Sequence, residues 1–118
     1  MSIDIDSRMI YGWELEYDEL QPLIDKANVM GISPIDYLDG YYIPEYEWFS
    51  AFWNDSWDMP DERTYYFGKI IPHGKKIDLD TIGQELKEIK ESIVAEMRRL
   101  MGDDFDIEPA VYCTELIY

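Results

Sequence analysis

The sequence predicts an α+β fold, a two-layer α/β sandwich in which one long helix of the C-terminal half packs on a small sheet of three strands or slightly more. Three observations carry this expectation. Met9 to Tyr17 alternates side chains with the period of a half-buried strand. Ile82, Leu86, Ile89, Ile93, Met97 and Leu100 form an unbroken stripe at three- and four-residue spacing, as on a helix lying against a core. Two further strand-like runs, Arg63 to Pro72 and Ala110 to Tyr118, bracket that helix. The order strand, helices, strand, long helix, strand suits one sheet with the long helix across it. At 118 residues, with no internal repeat or linker, the expectation is a single domain, 1–118.

Taken in order, residues 1–7 are short and polar and read as a frayed end. In the first strand Tyr11, Trp13, Leu15 and Tyr17 share one face, and Ile10, Gly12, Glu14 and Glu16 the other. Asp18 reads as the cap of a helix through about Asn28, with Leu20, Leu23, Ile24 and Ala27 as its buried stripe and Asn28 or Gly31 as its end. Ser33-Pro34 opens a short helix that stops by Leu38 because Gly40 follows. Tyr41-Tyr42-Ile43 reads as extended, since Ile43 precedes a proline. Pro44 opens a third helical piece to about Trp53, with Trp48/Phe52 and Phe49/Trp53 spaced to stack along it. Asn54 to Glu62 has turn chemistry throughout, and His73 to Lys76 is a turn. Asp80 or Thr81 caps the long helix, Thr81 with Gln84 as a capping box, and Gly102 ends it after Arg98 and Arg99. The last strand alternates Tyr112, Thr114, Leu116 and Tyr118.

The charge is the outlier. The net value is −16, beyond the magnitude of roughly 2–8 that keeps a small domain soluble. Residues 1–62 hold fifteen acids against two bases, a net −13, and the remainder holds eleven against eight, a net −3. Asp36 to Phe67 is the densest part. It contains twelve of the eighteen aromatics and eight carboxylates against one cation, Arg63. A disordered acidic tail lacks such aromatics, so this stretch implies an ordered scaffold that presents negative charge. It is expected as an elaborated helical insertion between the first and second strands. Such a protein repels nucleic acid and anionic membrane and attracts a basic partner. A single cysteine excludes an internal disulfide and suggests a reducing compartment. With no secretory leader pattern and no membrane-length apolar run, the expected location is cytoplasmic, the host cytoplasm if the protein is viral.

Enzyme chemistry finds little purchase. One His and one Cys do not build a zinc site of the usual kind. A calcium loop beginning at Asp78 matches at Asp80 and Gly83 but places Ile82 and Ile89 where ligands are required. Cys113, inside the last strand, reads as a buried structural thiol, and His73 as a turn residue. No phosphate-cradling or dinucleotide glycine pattern occurs. Paired carboxylates remain. Glu14 and Glu16 stand about 7 Å apart on one strand face, and a carboxylate-based, divalent-metal-dependent enzyme is one alternative.

The same spacing supports a different expectation. Rows of carboxylates approximate the rows of phosphates on a nucleic acid, which rise about 3.4 Å per nucleotide, and aromatics beside them can stack on the arginines of a cationic groove. The expected function is therefore a non-catalytic acidic interaction protein, without cofactor or metal, that inhibits a basic, nucleic-acid-handling protein. The partner-binding residues expected are Glu14 and Glu16 with Asp36, Asp39, Tyr41, Tyr42, Glu45, Tyr46, Glu47, Trp53, Asp55, Trp57, Asp58, Asp61 and Glu62. Small phage counter-defence proteins and toxin-immunity proteins share this size and acidity, so an immunity or antitoxin role is a second alternative. A homodimer closed by the aromatic face is a third.

Overall fold

Twelve consecutive residues, Ile5–Glu16, form the central strand β1 of the computed structural model. The structure describes residues 5–33, 36–37, 46–53, 63–71 and 78–117, without the side chains of 5–7 and 115–117. A 3-10 turn, Tyr17–Leu20, leads into helix α1, Gln21–Met30. Strands β2 (Ser50–Trp53) and β3 (Thr64–Ile71) follow, then the long helix α2 (Leu79–Met101) and strand β4 (Ala110–Ile117). The strands form one antiparallel sheet in the order β2-β3-β1-β4. The architecture is the expected α+β arrangement, with four strands.

The fourth strand comes from a segment that the sequence reads as helical. Residues 46–49 make a tight turn closed by Tyr46 N–H to Phe49 O (3.0 Å) and Phe49 N–H to Tyr46 O (3.1 Å), and Ser50–Trp53 then pairs with β3. The i,i+4 aromatic pairs that suggested a helix are instead split between the two faces of a strand: Ala51 and Trp53 align with Phe67 and Tyr65, and Phe52 with Tyr66. Cross-strand partners outweigh local spacing here because aromatic residues fit a pleated surface as well as a helix. The expected short helix after Ser33 is described only at Asp36 and Tyr37, where Tyr37 N–H donates to Ser33 O at 3.0 Å. The readings of 41–43, 54–62 and 73–76 lie outside the described residues.

Other boundaries also move. The expected frayed end is strand from Ile5 onward, because β4 pairs with Ile5–Gly12 while β3 pairs with Met9–Glu16. Asp18 lies within the 3-10 turn rather than capping α1, and Gly31, at φ 72°, ends that helix. Asp78 rather than Asp80 or Thr81 caps α2, its Oδ1 accepting from the N–H groups of Asp80 (2.9 Å) and Thr81 (3.2 Å). Gln84, freed from a capping box, donates to Glu88 at 3.2 Å. Cys113, expected as a buried thiol, is exposed.

The core fills one side of the sheet. Trp13 and Leu15 of β1, Tyr65 and Phe67 of β3 and Phe49 before β2 meet Leu23 and Ala27 of α1 and Ile93, Met97 and Leu100 of α2. The C-terminal half of the expected α2 stripe, Ile93, Met97 and Leu100, is deeply buried; Ile82, Leu86 and Ile89 in its N-terminal half are half-buried. Trp13 donates its indole N–H to Ile107 O at 2.8 Å and meets the Phe105 ring edge-on at 5.5 Å, so the segment after α2 seals that end. Gly12 and Gly68 face each other in register. A Cβ on Gly12 would sit 1.8 Å from Phe67 O, and one on Gly68, at φ 143°, would sit 2.1 Å from Tyr11 O. Only glycines allow the two backbones this approach.

Candidate interaction surface

The side of the sheet away from α2 carries the first candidates. Glu14 aligns with Tyr66, and Glu16 with Thr64. Both carboxylates are exposed, as the alternation of β1 requires. The face is not uniformly polar: Ile10, expected to share it with the acids, is fully buried. Phe52 stacks on Tyr66 with centroids 5.2 Å apart, so acid and aromatic groups lie side by side across three strands. Tyr66 is itself only 4% exposed. Burial pushes its hydroxyl pKa upward. Thr114 of β4 donates to the hydroxyl and pulls the other way, while the bond that the Tyr66 hydroxyl donates to Glu14, and the charges of Glu14 and Glu16, add to the rise. Thr64 Oγ–H reaches Glu16 at 3.5 Å, and Glu16 N–H donates to Glu19 Oε1 at 3.1 Å.

The turn before β2 carries the next group. Glu47 is exposed at its tip. Tyr46, 43% exposed, stacks nearly parallel on Trp48 at 4.8 Å, while neighbouring Phe49 is fully buried and anchors the turn in the core. Trp53 is half-buried, and Asp36 is exposed beside buried Tyr37. These six of the fifteen expected residues (Glu14, Glu16, Asp36, Tyr46, Glu47 and Trp53) are described. Asp39, Tyr41, Tyr42, Glu45, Asp55, Trp57, Asp58, Asp61 and Glu62 lie outside the described residues.

The cations of that half, Arg8 and Lys26, and Arg63 directly after it, are handled differently from the acids. Among side chains described, every carboxylate except Glu96 is exposed. By contrast, the Arg8 guanidinium lies over the Phe52 ring, 5.0 Å from its centroid. Arg63, 4% exposed, lies 3.7 Å over Trp53. Lys26 donates to the carbonyls of Arg99 and Leu100, both at 2.6 Å, closing the C-terminal end of α2. Burial, with Arg99 nearby, pulls the Lys26 pKa below the usual lysine value. Arg8, Arg63 and Phe52 had no place among the expected functional residues. A lone cation inside an acidic–aromatic stretch was the available signal for Arg63, since a cation among many rings is readily drawn over one of them.

Chemically, the surface offers carboxylates, stacked rings and hydroxyls. Among the described residues no three His, Cys, Asp or Glu side chains converge to hold a metal ion. An open groove of about 310 Å³ is lined by Asp25, Lys26, Val29, Met30 and Tyr37, with Asp25 its one carboxylate. None of the described helices is long and apolar enough to cross a membrane. Comparison with family models, with curated proteins and with solved structures finds no match for this chain.

Proposed function

We propose that the protein is a non-catalytic acidic binder that occupies the cationic, nucleic-acid-binding surface of a basic protein and thereby inhibits it. One observation carries the reading: the described acids of the N-terminal half face solvent, while Arg8 and Lys26 of that half, and Arg63 directly after it, lie over rings or against carbonyl oxygens. Residues 1–62 carry a net −13, and each of their described carboxylates adds to a negative surface field. Such a field speeds the approach of a basic protein and slows that of nucleic acid. Glu14 and Glu16 on the sheet and Glu47 beside the Tyr46–Trp48 stack supply carboxylates next to aromatic rings, the pairing that suits arginine-rich surfaces.

The test is a capture of basic, heparin-retained proteins on the immobilised chain, followed by association kinetics at increasing salt. The association rate is expected to fall at least about tenfold between roughly 0.05 and 0.5 M NaCl, as screening shortens the reach of the field. A salt-independent rate, or a complex indifferent to Glu14→Gln with Glu16→Gln and Glu47→Gln, would refute the reading.

A further inference from the structure

The turn at residues 46–49 holds two rings in a fixed stack at the surface. Its ends exchange hydrogen bonds, Tyr46 N–H to Phe49 O and Phe49 N–H to Tyr46 O. Phe49 is fully buried, and Trp48 meets it edge-on with centroids 6.2 Å apart. Trp48 is half-buried against the core, and Tyr46 lies within 10° of parallel to it. Tyr46, the more exposed of the two, is the outer ring of the pair. Glu47, also exposed, stands between them in the chain. The turn is thus a flat aromatic surface, braced from beneath, with a carboxylate beside it. A ligand that lies flat on it meets rings that need little further ordering.

We infer that this turn is an arginine-recognition site, in which a guanidinium of the basic partner lies flat on the outer face of Tyr46 and pairs with the Glu47 carboxylate. The inference rests on the function proposed above and adds which side chain of the partner is recognised. The molecule itself shows what its rings take: Arg8 lies over Phe52 and Arg63 over Trp53. A guanidinium is planar, forked and weakly hydrated, so it stacks on a ring and meets a carboxylate at once. An ammonium is compact and strongly hydrated, and does neither as well. A second copy of this chain does not supply the group. Its four arginines are already committed, Arg8 and Arg63 to rings, Arg98 to Phe105 O at 3.2 Å and Arg99 to Glu96 at 2.6 Å. The hydrogen bond to Glu96 raises the Arg99 pKa, with smaller contributions from the charges of Glu96, Tyr46 and Tyr37, so the cation that senses this turn is held by its own carboxylate. A nucleobase also stacks on an exposed ring, but the phosphates that come with it meet a chain of net −16.

The experiment titrates the full chain with an oligoarginine and an oligolysine peptide of equal length at about 0.5 M NaCl, where long-range attraction is screened. The oligoarginine is expected to bind about fivefold tighter. Tyr46→Ala should bring that ratio below about twofold without altering the circular dichroism, whereas Tyr46→Phe, which keeps the ring, should retain it. Glu47→Gln should lower the ratio part of the way, since stacking remains. Equal binding of the two peptides, or a preference that survives Tyr46→Ala or is lost in Tyr46→Phe, would overturn the inference and leave the acidic-binder reading standing. Binding of neither peptide even at about 0.05 M NaCl, or tighter binding of a single-stranded oligonucleotide than of both, would overturn the two together.

Discussion

The N-terminal half and helix α2 treat their charges in opposite ways. On and around α2, acids meet cations: Lys90 Nζ lies 2.8 Å from Glu108, and Arg99 lies 2.6 Å from Glu96, the one buried carboxylate among those described. The first pair raises the lysine pKa and lowers that of the glutamate, each through their shared hydrogen bond. In the N-terminal half and at Arg63 directly after it, Arg8 and Arg63 lie over rings and Lys26 caps a helix, while Glu14, Glu16 and Glu47 face water. The contrast teaches that a cation's position decides what it does. Paired at the surface it lowers the local field; placed over a ring or against a carbonyl it also supports the fold.

That contrast can be broken first at Arg63. Arg63→Met is expected to cost about 2–3 kcal/mol, from the lost ring contact and the packing of its aliphatic stem. Urea unfolding measures it, and a loss too small to resolve would place Arg63 with the surface pairs. Tyr66→Phe is next, at about 1–2 kcal/mol near neutral pH, because it leaves Thr114 and Glu14 without their shared partner. It carries a pH signature. The hydroxyl pKa is raised in the fold, so its contribution is whole below the ordinary tyrosine value of about 10 and is lost as pH climbs through the raised value. The substituted protein should therefore lose less stability on the alkaline side than the parent, and parallel pH curves would contradict this.

Smaller effects sharpen the comparison. Lys26→Met should cost about 1 kcal/mol by removing the cap from α2, and hydrogen exchange in the last turn of that helix should quicken while β3 stays protected. Lys90→Gln removes a surface partner of Glu108 and should leave the urea midpoint unmoved. A Lys90 variant as damaging as Arg63→Met would erase the distinction between the two halves.

Much of the scaffold was legible because its signals are periodic. Trp13 and Leu15 lie in the core as strand alternation requires, and Ile93, Met97 and Leu100 as the helical stripe requires. Residues 50–53 were misread because Phe49, Phe52 and Trp53 satisfy a helical spacing locally, while the partners that make them a strand, Tyr65, Tyr66 and Phe67, come later in the chain. Cys113 was misread because a strand pattern says which residues share a face and not whether a helix reaches that face. For the candidate surface, the exposure of Glu14, Glu16 and Glu47 followed from their charge, whereas the sites of Arg8 and Arg63 did not.

By itself, then, the sequence determined the fold class, the burial of Ile93, Met97 and Leu100 on α2, Gly31 as one of two candidate ends of α1, and the charge imbalance between the halves. Each follows from local periodicity, backbone freedom or composition. Only the tertiary structure decided that β2 is a strand, that β4 lies beside β1 at the end of the described sheet and that Arg63 lies over Trp53. The physical reason is the same in each case: these outcomes depend on which residues meet across the sheet, and no repeat within a short window encodes that meeting.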